Sequence, residues 1–145
     1  MKASQNILGG IAGSIALNLV HETVKRYSRS APRVDLVGED AIKKWLPKIG
    51  LTPPSGTNLY LATLAGDVIS NAIYYSIAGV GKKKNVLLNG SVLGLAAGVG
   101  ALVLTKPLGL SDAPVTRTNT TKALTVAWYL IGGVVAASVI RRMRK

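Results

Sequence analysis

Four apolar blocks dominate this chain, over residues 7–24, 59–80, 86–104 and 123–140. A helix of about 20 apolar residues crosses the ~30 Å hydrocarbon layer of a bilayer, and each block approaches or exceeds that length. The blocks lack the two-residue alternation of a half-buried strand and the narrow stripe of a soluble amphipathic helix. Backbone polar groups in lipid must be paired within their own segment, so each block is expected to be a helix. Short links predict antiparallel neighbours. The expected fold is therefore all-α: a polytopic membrane protein, an antiparallel four-transmembrane-helix bundle, forming one membrane domain over residues 1–145. Lys2 and the first block also have the outline of a signal peptide. Ser28-Arg29-Ser30-Ala31 before Pro32 is a poor cleavage context, so that block is expected to remain as a span.

Composition agrees. Only 17% of residues are charged, where soluble domains carry about 25%, and mean hydropathy is +0.34. The chain has no Cys and one His, which excludes disulfides, thiol chemistry and His-rich metal sites. The net charge of +12 lies at the ends of the apolar blocks rather than along a folded stripe with interleaved aromatics. That pattern points to anionic lipid headgroups, not nucleic acid. Lys2, Lys82 to Lys84 and the cluster from Arg141 to Lys145 are dense and close to helix ends. They predict cytoplasmic termini, although Lys25, Arg26 and Arg29 argue the other way.

The first loop holds an amphipathic segment at about 35–49. Leu36, Val37, Ala41, Ile42, Trp45, Leu46 and Ile49 recur at helical spacing against Glu39, Asp40, Lys43, Lys44 and Lys48. Pro47 should end or kink it. Such a helix either lies in the headgroup plane or caps the bundle mouth.

One acid falls inside an apolar block. Asp67 and Asn71 share a helix face, with Tyr74 and Tyr75 below. An ionisable group at membrane depth is costly and marks a candidate site. In an antiparallel pair, His21 and Glu22 at the end of the first block come to the same level, with Asn18 one turn deeper. Asp67, Asn71, His21, Glu22, Asn18 and Tyr74 are therefore the candidate cluster for a small ion, a proton or a lipid headgroup. The alternative is a structural or accessory subunit in which a buried Asp only pins two helices in register.

No enzyme signature accompanies the cluster. His21-Glu22 is not followed by a second His, because Lys25 stands at that place, so no metal is expected. No G-x-S-x-G or phosphate loop is present, and neither a catalytic residue nor a cofactor is expected. Gly9 and Gly13, and Gly90, Gly94 and Gly98, repeat at four-residue steps. They predict close helix packing, within one chain, in a homo-oligomer or in a larger membrane complex. Trp128, Tyr129 and Tyr60 are expected as anchors at the membrane interface.

The second half resembles a known family. Leu104-Thr105-Lys106-Pro107-Leu108-Gly109-Leu110, then Ala127-Trp128-Tyr129-Leu130-Ile131-Gly132-Gly133 and a terminal Arg pair, look like the YagU-like small bacterial inner-membrane proteins. Those have about four spans and no established biochemical role. The family's pattern has a His-Glu before the Pro-Leu-Gly segment, where this chain has Leu104-Thr105. The resemblance implies a bacterial inner membrane and adds nothing on mechanism.

Overall fold

A computed structural model describes residues 2–144. Six α-helices are present and, among the described residues, no strand: α1 Lys2–Val24, α2 Val34–Trp45, α3 Gly56–Ser76, α4 Val86–Val103, α5 Ala113–Thr116 and α6 Asn119–Met143. Short 3-10 turns at Leu46–Ile49, Ile77–Gly79 and Lys83–Asn85 join or extend them. By length and composition, Lys2–Val24, Lys83–Val103 and Asn119–Met143 can each cross a membrane. The α3 helix does not meet that measure. Thr57, Asn58, Thr63, Asp67, Ser70 and Asn71 dilute its apolar content.

The bundle is organised around α6, which packs on α1 along one side and on α4 along the other. Glycine makes both contacts possible. A Cβ at Gly13 would strike the Gly132 carbonyl and come within 2.7 Å of the Ala136 Cβ. At Gly9 it would meet Ile140 and stand 2.8 Å from the Ala136 carbonyl oxygen. On the other side Gly90 abuts the Gly133 carbonyl, while Gly94 and Gly98 would each place a Cβ 2.7 Å from the backbone of Tyr129 and Val126. The backbones thus approach closely, and dispersion contacts accumulate along both seams.

α3 packs on the far side of α1, with Gly10 against the backbone of Ala72. Ser14 Oγ donates to the Val68 carbonyl at 2.8 Å. Tyr75, fully buried, lays its ring on Gly132 and donates to the Tyr129 carbonyl at 2.8 Å, tying α3 to α6. Large apolar side chains point outward instead: Ile11, Ile15 and Leu19 of α1, Leu61, Ile69 and Ile73 of α3, and Leu88, Val92 and Val99 of α4 are all exposed. An interior of Gly, Ser and Tyr under an apolar exterior suits a lipid solvent.

Two features refine the sequence reading. Trp128 and Tyr129 are buried core residues, not interface anchors, because α6 is central and its flanks are covered by α1 and α4. Arg144, read as part of a basic tail, folds back into the bundle. It donates to the Gly79 carbonyl, to the Gly81 carbonyl at 3.3 Å and to Asn6 Oδ1 at 2.8 Å.

Gly90→Ala is expected to lower thermal stability in detergent by roughly 1–3 kcal/mol through overpacking against α6. Gly66→Ala, whose Cβ meets nothing within 4 Å, should be neutral or gain up to about 1 kcal/mol of helix propensity. Equal melting temperatures for the two variants would contradict the packing account.

Candidate functional site

The end of the bundle opposite the chain termini is not filled. α1 and α3 meet closely at Gly10 and Ala72, but near Asn18 and His21 of α1, and Thr63 and Asp67 of α3, a cavity of about 560 Å³ remains. α2 covers it. Arg33 precedes α2 and hydrogen-bonds through its backbone N–H to the Pro114 carbonyl at 3.0 Å. Arg117 donates to the Arg29 and Ala31 carbonyls at 2.9 and 2.8 Å, and Thr121 Oγ1 to the Ser30 carbonyl at 2.9 Å. These bonds lash the 25–33 loop to the start of α6 and aim α2 across the opening. Gly38 lets α2 settle onto α3, where a Cβ would come 2.5 Å from Thr63 Cγ2. Of the two roles read for the amphipathic helix, this geometry is that of a cap. Pro47 lies in the 3-10 turn that ends it.

The cavity has a polar end and an apolar wall. Asn18, His21, Asp35 and Asp67 lie at the polar end, and Val37, Ala41, Ile42, Trp45, Leu46 and Ile49 of α2 and its 3-10 turn form the wall. Wall residues recur at three- and four-residue steps, so the amphipathic stripe faces inward over the cavity. Trp45 and Ile49, 42% and 71% exposed, mark where it opens.

Asp67 accepts from Asn71 Nδ2 at 2.9 Å, and Asn18 reaches the same carboxylate. Among the described residues Asp67 makes no salt bridge. Asp67 forms no salt bridge with the His21-Glu22 end of α1, although His21, Glu22 and Asn18 line the same cavity. Glu22 pairs with Lys25, and His21 stands nearest to another carboxylate, Asp35. Arg33 grips Asp35 with a fork, Nε to Oδ1 at 2.9 Å and Nη2 to Oδ2 at 2.8 Å. Lys25 Nζ bridges Glu22 at 2.6 Å and Asp35 at 3.4 Å, and lies 5.0 Å from the Tyr60 ring centroid. His21 Nε2 stands 3.4 Å from Asp35 Oδ1 without hydrogen-bond geometry, and its ring tilts against Trp128 at 5.5 Å. Lys25 therefore does not reach Asp67. Arg26 is exposed and makes no ion pair.

Tyr74 lies outside the cavity. It sits two helical turns, about 10 Å, below Asp67, and donates to the Leu93 carbonyl of α4 at 2.9 Å. Tyr60 and Tyr129 line the cavity in its place. Asp35 was hidden because an acid in the first turn of a helix reads as a dipole partner. Its spacing held the signal: Asp35, Gly38 and Ile42 fall at i, i+3 and i+7, so the acid is in line with the buried stripe. Among the described residues no group of three His, Asp or Glu side chains is arranged to hold a metal. No protein-family model, curated protein or solved structure matches the chain.

Burial pushes the Asp35 carboxyl up, but His21 and the Arg33 guanidinium outweigh it and hold the group well below the usual carboxylate range. A carboxyl held low stabilises the fold above its ordinary value of 3.8, and the contribution fades only as pH falls below that towards the folded value. Asp35→Asn should therefore lower thermal stability at neutral pH by about 1–3 kcal/mol. The gap to the wild type should close only below about pH 4. No destabilisation at neutral pH would show that the Arg33–Asp35 fork does not hold α2 in place.

Proposed function

We propose that this chain is a four-span integral membrane protein that binds an amphiphilic small molecule between α1, α2 and α3. The polar head sits at Asp67 and the apolar chain lies under α2. One observation carries the reading: Asp67, midway along α3, forms no salt bridge among the described residues and opens onto a sizeable cavity. A helix-pairing Asp would be matched by a basic side chain on its neighbour. The available cations, Lys25 and Arg33, are spent on Glu22 and Asp35. The volume is within the roughly 300–1,000 Å³ of pockets that enclose small ligands. A wall of Val, Ala, Ile and Trp favours an amphiphile over a bare ion or a proton path.

In this reading α3 is the fourth span. Its outward Leu61, Ile69 and Ile73 face lipid, and Thr63, Asp67 and Ser70 line the cavity. Both termini then lie on one side, together with Lys82, Lys83 and Lys84, and we assign that side to the cytoplasm by the density of its positive charge. A bacterial inner membrane suits the YagU-like features of the second half, and we carry that resemblance no further than architecture.

The reading is tested by quenching. The chain has two tryptophans, and Trp45 lines the cavity while Trp128 is buried behind His21. In phosphatidylcholine nanodiscs, a single-chain amphiphile brominated at its far end should quench Trp45 with saturation. The signal should vanish in Trp45→Phe, and Ala41→Phe, which fills the cavity, should weaken it at least about tenfold. Linear, unsaturable quenching that is the same in Ala41→Phe would refute the site.

A further inference from the structure

We propose that the cavity selects lipophilic cations: an amphiphile whose ammonium head meets Asp67 and whose chain runs under α2 towards Ile49. This rests on the amphiphile-binding reading and specifies the head that the site accepts.

Charge is the first ground. Three carboxylates line the cavity, Glu22, Asp35 and Asp67, and neither lysine nor arginine does. Lys25 and Arg33 reach the first two from outside the lining. Among the described residues Asp67 makes no salt bridge and takes its side-chain hydrogen bonds from amides, Asn71 at 2.9 Å and Asn18. An anionic head entering here would meet Asp67 with no salt-bridging cation beside it, and would lose its own hydration as well. An ammonium would supply the counter-charge that Asp67 lacks.

The second ground is an unmet hydrogen bond. His21 is 5% exposed, lines the cavity, and its Nε2 has no hydrogen-bond partner. A buried polar nitrogen without a well-formed hydrogen bond is costly, and a polar head or the water it brings would relieve it. Aromatic rings give the third ground. Tyr129 lines the cavity together with the acid, and ring faces attract cations in a desolvated setting. In the same neighbourhood the Lys25 ammonium already lies against the Tyr60 ring.

The geometry also orders the ligand. Asp67, Asn18 and His21 belong to the two long helices, whereas Trp45, Leu46 and Ile49 belong to the cap and its 3-10 turn. A head at Asp67 therefore sends its chain along the inward stripe of α2 to the exposed edge at Ile49.

Three probes with one chain and different heads decide the matter: bromoundecylammonium, bromoundecanol and bromoundecyl sulfate. Each is titrated against Trp45 fluorescence in phosphatidylcholine nanodiscs at neutral pH, with the wild type and with Asp67→Asn. The ammonium should bind about tenfold or more tightly than the alcohol, and the sulfate most weakly. Asp67→Asn should bring the ammonium down to about the affinity of the alcohol, while saturable quenching of Trp45 by the alcohol persists and shows that the variant is folded. Alcohol or sulfate binding the wild type as tightly as the ammonium would overturn the inference. So would an ammonium affinity that Asp67→Asn does not change. In both cases saturable binding would persist and the broader reading would stand. If none of the three probes saturates, the amphiphile site itself is refuted.

Discussion

The close approach of α6 to both α1 and α4 is the constraint from which the rest of this structure follows. α1, α4 and α6 are long and apolar enough to cross a membrane, and helices in such a setting are held by dispersion between backbones that can approach closely. Gly9 and Gly13 on one side of α6, and Gly90, Gly94 and Gly98 on the other, permit that approach. Once α6 is sheathed in this way, α1 has one face left. α3 takes it through Gly10 and Ser14 near the terminal end and leaves it open near Asn18 and His21. The cavity is thus a consequence of where small residues stop along α1.

The polar groups at that end divide into two sets with different energetics. Glu22, Lys25, Arg33 and Asp35 form a paired network that fixes α2 as a cap. A partly buried network of this kind confers geometry more than net stability, since ion desolvation offsets much of its attraction. Asp67 belongs to the other set. Amides alone answer it, and it faces open space. The contrast between a salt-bridged network at the rim and a carboxylate without a salt bridge at the base is the ground for the proposed site.

Much of this was legible in the sequence, and the losses have physical causes. Glycine stripes are local patterns, and α6, α4 and α1 could be read from them with their partners left open. Asp67 stood out because an acid in an apolar block has no local excuse. Asp35 did not, because its partners His21 and Arg33 meet only after the loop from Lys25 to Arg33 has folded back onto the start of α6. Trp128 and Tyr129 looked like interface anchors because composition says nothing of which helix is central. Arg144 looked like a tail because a carbonyl cluster at Gly79 and Gly81 leaves no trace in sequence pattern. Tyr74 shares a stripe with Asp67 yet reaches α4, two turns away.

Placing Asp67 at membrane depth gives the cavity its meaning, and the span it requires is the least apolar of the long helices. The chain has no cysteine, so single-cysteine labelling in sealed vesicles reads that depth directly. Cysteine introduced at Ile69, on the outer face of α3 about half a turn from the level of Asp67, should be unreactive to a water-soluble maleimide until the protein is denatured. Cysteine introduced at Lys83, in the exposed turn before α4, should react once the reagent reaches that side of the membrane. Labelling of the Ile69 position as fast as the Lys83 position would place α3 in water and contradict the account.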